Sequence, residues 1–146
     1  MSIPRVQDRI ELEISPLPEH VGTARLVVAA AARSLGVDEE SVADLKMVIS
    51  ELCTEAIESR QLAPSEEPIR IRLFAMPESL EVDINSGVGE LRSLPYVGKP
   101  PETPERLERS LRGNVIYALF PDVQFLPDDT GVAVRFSVPR EPELGA

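Results

Sequence analysis

Three glutamates, Glu51, Glu55 and Glu58, follow one another at steps of four and three residues in a stretch with helical periodicity. Residues at these steps share one face of an α-helix, so the carboxylates form an acidic stripe, with Asp44 two turns earlier. A positioned carboxylate can act as a general base, and carboxylates together with substrate phosphates commonly bind Mg²⁺. Without other information, however, such a stripe is typical of a solvated helix face.

Two segments contain glycines that could belong to a turn or to a ligand-binding loop. NSGVG, from Asn85 to Gly89, is ordinary turn chemistry, because Asn, Ser and Gly are common turn residues. VGKPP, from Val97 to Pro101, contains a Gly-Lys pair but lacks the glycine spacing before it and the Ser or Thr after it. Neither segment alone indicates a nucleotide site.

The chain has one cysteine, Cys53, and one histidine, His20. This excludes an internal disulfide and a zinc-type cluster, and it argues against a Cys/His catalytic pair. Cys53 falls among apolar residues at helical spacing and is expected in the core. His20 falls in the first turn of a predicted helix and is expected at the surface.

The composition indicates one acidic globular domain. The 146 residues include 25 acidic and 15 basic side chains, for a net charge of −10. Such a field repels nucleic-acid phosphates, so no direct nucleic-acid partner is expected. No apolar run approaches the roughly 20 residues of a membrane span, and the N-terminus lacks a signal-peptide pattern, so we expect a cytoplasmic protein without membrane contact. The expected parts are an arm (1–8), the domain (9–139) and a flexible tail (140–146).

Period-2 alternation of apolar and polar side chains predicts five strands. They run from Arg9 to Ile14, from Ile69 to Leu73, from Leu80 to Ile84, from Val123 to Leu126 and from Val132 to Val138. Each clear strand has one polar face, which favours a sheet that is covered on one side and paired antiparallel. We therefore expect an α/β (α+β) two-layer sandwich, with a mixed, mostly antiparallel sheet and helices on one face.

Three helices are predicted to cover that sheet. The first runs from Glu19 to Leu35 and is closed by Gly36, and Asp38 is a candidate cap of the second. Apolar residues of the second helix repeat at three- and four-residue steps: Val42, Leu45, Ile49, Leu52, Cys53, Ala56 and Ile57. The third runs from Pro104 to Phe120 and begins with a residue type favoured at a first helical position. A loop or lid, from Glu90 to Thr103, precedes it.

This order of strand, helix, helix, hairpin, lid, helix and hairpin resembles the Bergerat, or GHKL-type, ATP-binding fold of the RsbW-like anti-sigma-factor serine kinases. The second helix is similar to the family's long helix, which carries the motif E-x-C-T-N-A. Four residues match that motif in register: Glu51, Cys53, Thr54 and Ala56. The segment RGNVIYALFPDVQF is similar to a second family pattern, G-L-x-L-I-x-x-L-x-D-x-V, through Gly113 and Asp122.

The chain departs from the family at the positions that bind the nucleotide. Glu55 stands where the family has an asparagine that holds Mg²⁺. Asn85 or Ser86, depending on register, stands where the aspartate of a D-x-G-x-G loop reads adenine, with Gly87 and Gly89 at the glycine positions.

On the phosphate side, Leu111 replaces the first glycine of a G-x-G pattern, whereas Gly113 keeps the second. The resemblance gives Glu51 the place of the general base that deprotonates a serine hydroxyl. Mg-ATP is the cofactor that the family implies, but these departures weaken the case that it binds here.

The resemblance implies, first, a regulatory module that sequesters an RNA polymerase sigma factor and is countered by a STAS-domain anti-anti-sigma protein. The second hypothesis is an active Mg-ATP-dependent protein serine kinase, with Glu51 as base and a STAS-domain serine as substrate. The third is a sensory or scaffold domain that shares the fold without either role, since fold does not imply function. A homodimer is also expected, because the family commonly pairs and the first strand can present an open edge.

Overall fold

The computed structural model describes residues 8–61, 63–89, 91, 104–128 and 131–141. Its strands are β1 (Asp8–Ile14), β2 (Ile69–Ala75), β3 (Ser79–Asn85), β4 (Gln124–Asp128) and β5 (Gly131–Pro139). Its helices are α1 (Val21–Ser34), α2 (Glu39–Glu58) and α3 (Pro104–Leu119), and single 3-10 turns span Pro18–His20 and Ser59–Gln61. The predicted order of elements is therefore confirmed.

The strands form one five-stranded sheet in the order β1-β2-β3-β5-β4. One row of apolar partners crosses all five strands: Leu12, Ile71, Ile84, Val134 and Phe125. Every pairing among the described strands is antiparallel, so the mixed character that we expected is not present there. The two-layer fold itself is as expected, and β1 lies at an edge of the sheet, as predicted.

The core lies between the sheet and the helices α1 and α2. The side chains expected to form it are buried together in one cluster: Leu45, Ile49, Leu52, Cys53, Ala56, Ile71, Val82, Ile84 and Val134. Burial of each valine, leucine or isoleucine side chain in this cluster stabilises the folded chain by about 1.5–3 kcal/mol. Because α2 buries this stripe, its register is fixed, and so are the positions of the carboxylates on its other faces.

The start of α2 is fixed by Asp38, whose Oδ1 accepts a hydrogen bond from the Ser41 backbone N–H at 2.8 Å. The predicted cap is thus confirmed, and it satisfies a donor that the first turn leaves unpaired. Glu39 and Glu40 place further negative charge in that first turn, where it interacts favourably with the helix dipole.

The outer face of the sheet is polar, as the alternation predicted. Cross-strand ion pairs cover it, with Arg72 Nε 3.2 Å from Glu11 Oε1 and Arg135 Nε 2.8 Å from Asp83 Oδ2. Asp83 therefore belongs to this outer face and points away from the helical layer.

Two of the expected boundary segments lie largely outside the described residues, namely the N-terminal arm and the lid from Glu90 to Thr103. Within the lid, Leu91 is described and is buried. The expected flexible tail begins with Arg140, which is 7% exposed and donates from Nε to the Leu35 carbonyl at 2.6 Å. Its first residue is therefore part of the packed fold.

Candidate functional site

The acidic stripe of α2 meets a single guanidinium from α3. Arg112 Nε donates to Glu51 Oε2 at 2.9 Å, and Arg112 Nη1 donates to Glu55 Oε2 at 2.8 Å and to Glu58 Oε2 at 2.9 Å. Charge-assisted hydrogen bonds of this kind are roughly twice as strong as neutral ones. The arrangement joins the candidate base Glu51 and the candidate metal ligand Glu55 to one internal cation.

The expectation of a solvated helix face is wrong for the middle of the stripe. The Glu55 side chain is 2% exposed, whereas the Glu51 and Glu58 side chains are 37% and 42% exposed. Buried carboxylates are costly unless they are paired and hydrogen-bonded. Arg112 meets that requirement at Oε2, and the Ser59 hydroxyl donates to Glu55 Oε1 at 3.4 Å.

Arg112 was not singled out by the sequence reasoning, although it is the residue between Leu111 and Gly113. Burial opposes the guanidinium charge, but hydrogen bonds to Glu58 and Glu55 outweigh that effect and raise the pKa of Arg112 above its ordinary value. The sequence carried no local signal for this contact, because an acidic stripe also suits a solvated helix face; arginine is nevertheless well suited to bind several carboxylates.

The loop that follows β3 is held by its own hydrogen bonds. Asn85 Oδ1 accepts from the Gly87 backbone N–H at 2.9 Å, and the Ser86 hydroxyl donates to the Val88 carbonyl at 3.1 Å. These are side-chain-to-backbone turns of the kind that Asn and Ser commonly form. Both residues that stand in the place of an adenine-reading aspartate are thus engaged within the loop, and Ser86 is 2% exposed.

Gly87 and Gly89 differ in their surroundings. Gly87 has a φ of +72°, and a Cβ there would lie 2.7 Å from the Pro68 carbonyl oxygen and 2.8 Å from Arg60 Nη2. A Cβ on Gly89 would meet no atom within 4 Å. The fold itself therefore requires glycine at residue 87, whereas Gly89 borders open space.

Arg60 holds this loop to the end of α2. Its Nη1 donates to the Ala56 carbonyl at 2.5 Å, and its Nη2 donates to the carbonyls of Glu67 at 2.6 Å and Ser86 at 3.1 Å. Burial lowers the pKa of Arg60, and its Nε is buried without a hydrogen-bond partner among the described residues. The backbone of the loop is thus held by hydrogen bonds from within the chain.

The phosphate-side position on α3 is described in part. Gly113 is buried within the helix, next to Arg112. Leu111 lies in the same helix, but its side chain is outside what the structure describes, as is Thr103, the expected cap. Further along α3, Ile116 is 2% exposed and anchors the helix in the core.

Among the described residues, no group of three or more His, Cys, Asp or Glu side chains has the arrangement of a metal site. Cys53 is fully buried in the core, as expected, and burial raises the pKa of its thiol to about 12. A thiol of this kind is not a reactive nucleophile at neutral pH, since the thiolate is the reactive form.

In the described part of the chain, no helix combines the length and the apolar character that a membrane crossing requires.

The five-stranded sheet with helices on one face is the fold class of a GHKL-like ATPase domain, and comparison with known families agrees. A family model described as the histidine kinase-like ATPase domain matches residues 14–138. The match covers most of the chain, so this protein belongs to the histidine kinase-like ATPase domain family.

Within that family, its relatives include serine-protein kinases named RsbW. That of Bacillus licheniformis is 27% identical over 145 residues, covering 91% of this chain and 86% of the relative. That of Oceanobacillus iheyensis is 30% identical over 137 residues, covering 89% and 85%. The Bacillus subtilis protein is 32% identical over 75 residues, which cover 51% of this chain and 47% of that one. The resemblance to the RsbW-like family is thus confirmed.

The fold agrees with a solved structure of the RsbU and RsbW domains of a Mycobacterium tuberculosis protein. The two superpose with a TM-score of 0.61 at 13% sequence identity, and the match covers 96% of this chain but 35% of the longer one. At this identity the likeness supports the fold alone.

Proposed function

We propose that this chain is an anti-sigma regulatory factor, which binds and sequesters an RNA polymerase sigma factor and is countered by a STAS-domain anti-anti-sigma protein. In this proposal the ATP site is degenerate, and the regulatory effect comes from binding. The observation that carries it is the engagement of Glu51 and Glu55 by Arg112. A module held together in this way retains its binding surfaces without needing nucleotide.

The residues at the family's nucleotide positions do not fit Mg-ATP well. The metal-ligand position carries Glu55, an anion that is already bonded to a guanidinium and is 2% exposed. At the adenine position, the side chains of Asn85 and Ser86 form hydrogen bonds to the backbone of their own loop, at Gly87 and Val88. We therefore derive no catalytic step through ATP for this chain.

Sequestration needs a surface that a protein partner can cover, and the helical layer offers apolar side chains for that purpose. Leu26 on α1 is 64% exposed, and Met47 on α2 is 49% exposed. Large apolar side chains that are exposed in this way contribute to protein interfaces when they cluster. Exposed apolar side chains that stand singly are normal on protein surfaces, so these two serve as candidate contact residues for the proposed partner and not as evidence for it.

A second candidate is an active Mg-ATP-dependent serine kinase that phosphorylates a STAS-domain antagonist. It is favoured by the names of the relatives and by Glu51, whose side chain keeps 37% exposure and so remains open to a substrate hydroxyl. Arg112 bonds to Glu51 Oε2 and leaves Oε1 as the oxygen that would accept the proton. The case for binding over catalysis therefore rests on Glu55 and on the loop after β3.

The test uses this chain, tagged, as bait in its own cells, followed by mass spectrometry of the captured proteins. The proposal expects a sigma factor among them, and it expects the purified pair to block sigma-dependent transcription until a STAS-domain protein is added. Incubation of the chain with labelled ATP and that STAS protein distinguishes the kinase, since only the second candidate gives a phosphoprotein. Capture of neither protein would favour a scaffold role and reject both candidates.

A further inference from the structure

The hydrogen bonds between Arg112 of α3 and the glutamates of α2 give this arginine a specific structural role. We infer that the Arg112 guanidinium acts as a built-in cation, which takes the place of a metal ion among the α2 carboxylates and holds α3 against α2 without any ligand. The inference rests on the proposed degeneracy of the nucleotide site but not on the sigma factor or on any other partner.

The geometry is that of one cation shared by several anions. Two nitrogens of Arg112 reach carboxylate oxygens of three residues, all within 2.8–2.9 Å. The three acceptors come from residues spread over about two turns of α2, so their side chains converge on the one guanidinium. A divalent metal ion also prefers carboxylate ligands, but among the described residues these glutamates do not have the arrangement of a metal site while Arg112 is bonded to them. The guanidinium and a metal ion cannot occupy this space together.

Burial makes the cation necessary. Glu55 is 2% exposed and Arg112 is 17% exposed, so their charges are shielded from bulk water. Removal of one member of such a buried pair leaves the other charge uncompensated, which is strongly destabilising. Unlike a metal ion, the side chain is covalently attached and cannot dissociate, and arginine stays protonated at all physiological pH values. The compensation is therefore permanent.

The attachment adds a polar contact to the apolar ones that hold α3 in place. Towards its C-terminal end, Ile116 is buried and Phe120, just after the helix, stacks on Phe136 of β5 with ring centroids 4.5 Å apart. Arg112 supplies a polar attachment to α2 one turn before Ile116. In a protein that needed Mg-ATP to bridge these helices, α3 would respond to the nucleotide. Here the chain itself makes the bridge.

The experiment compares Arg112→Gln with the unchanged protein, with MgCl₂ alone as the probe at matched ionic strength. The matched control is Arg135→Gln, which removes an arginine from an ion pair with Asp83 on the outer sheet face. We expect Arg112→Gln to melt lower and to regain about 2–4 °C with millimolar MgCl₂, which corresponds to roughly a fivefold excess of metal over its dissociation constant. The unchanged protein and Arg135→Gln are expected to show no response to Mg²⁺.

Hydrogen exchange supplies a second readout. Amides of residues 113–119 are expected to exchange at least tenfold faster in Arg112→Gln, and to recover with MgCl₂, while the amides of β2 and β3 stay unchanged. A folded Arg112→Gln protein that ignores Mg²⁺, or one whose α3 exchanges at the unaltered rate, would overturn the inference.

If Arg112→Gln alone does not fold, the double variant Arg112→Gln, Glu55→Gln decides the question. Because it removes the buried carboxylate together with its counter-ion, we expect it to fold and to be insensitive to Mg²⁺. A double variant that fails to fold as well would show that Arg112 matters for a reason other than charge compensation, and the inference would be rejected. None of these results bears on sigma-factor capture, so the two proposals fail separately.

Discussion

Gly87 lies so close to Pro68 that a Cβ at residue 87 would stand 2.7 Å from the Pro68 carbonyl oxygen. The φ of +72° at Gly87 is also a conformation that L-residues rarely adopt. Both constraints come from the chain, through the segment before β2 and through Arg60. The glycine that looks like part of a nucleotide motif is therefore required for folding, whatever the loop binds.

We expect Gly87→Ala to lower the free energy of unfolding by about 1–3 kcal/mol, because the new Cβ meets backbone and the φ becomes strained. Gly89→Ala is the matched control, since a Cβ there meets nothing within 4 Å. Its effect should stay within about 1 kcal/mol. Urea unfolding of both variants provides the measurement, and equal effects would contradict this account of the loop.

Much of the fold could be predicted from sequence because its signals are local. The alternation in β2 and β3 identifies the buried face residue by residue, and the three- and four-residue spacing in α2 identifies the core stripe. Asp38 was found as a cap for the same reason, since its partner Ser41 is three residues away. Local patterns of this kind need no knowledge of which elements meet.

The site was less predictable because its central contact is not local. Glu55 and Arg112 are 57 residues apart in the chain, and only the packing of α3 on α2 brings them together. An acidic stripe on a helix looks solvated until the element that covers it is known. Glu55 was therefore identified as an unusual residue through the family resemblance, while its partner was missed.

Leu52 provides a test of the packing between α2 and the sheet. Its side chain is 4% exposed, so Leu52→Ala is expected to lower the free energy of unfolding by about 2–5 kcal/mol, the usual effect of deleting a well-packed leucine. Leu26→Ala, at a position that is 64% exposed on α1, should change it by about 0.5 kcal/mol or less. Similar losses in the two variants would show that Leu52 is not a core residue.

Cys53 predicts a dependence of stability on pH. Burial raises the pKa of its thiol from 9.0 to about 12, so the thiol stays protonated in the folded state while the unfolded thiol ionises. The unfolded state then binds fewer protons, and stability is lost as the pH rises from the unfolded pKa towards the folded one. The two pH values to compare are one unit below and one unit above the unfolded pKa. Between them, the free energy of unfolding should fall by about 1.4 kcal/mol more in the unaltered protein than in Cys53→Ala. Urea unfolding at both pH values measures the difference, and identical losses would reject the assignment.

A homodimer remains a prediction, and the position of β1 gives it a physical reason. β1 pairs with β2 on one side and forms an edge of the sheet on the other. Unpaired edge strands commonly bind another strand or are shielded by charge. We expect light scattering to give twice the mass of one chain at tens of micromolar. A monomer mass at that concentration would reject the dimer.

The nucleotide site can be tested first in the unaltered protein. Millimolar Mg-ATP should barely change its melting temperature, because Glu55 is held by Arg112 and the adenine position lacks an aspartate. A ligand present at 100 times its dissociation constant would stabilise the fold by about 2.7 kcal/mol, which corresponds to a rise of several degrees for a domain of this size. A rise of that extent would refute the degenerate site.

The substitution Glu55→Asn tests how much the charge at Glu55 contributes to the weak binding of Mg-ATP that we expect. It removes the misplaced anion and supplies the neutral ligand that the family uses, but it leaves Asn85, Ser86 and Leu111 unchanged. It also leaves Arg112 bonded to Glu51 and Glu58, so the cation still lies beside the position where the metal would bind. Affinity for Mg-ATP, measured by titration calorimetry, should therefore improve only modestly, by about tenfold or less, which is 1.4 kcal/mol. If this one substitution restored tight binding, the charge at Glu55 would be the sole defect, and the argument from the loop, from Leu111 and from Arg112 would be wrong.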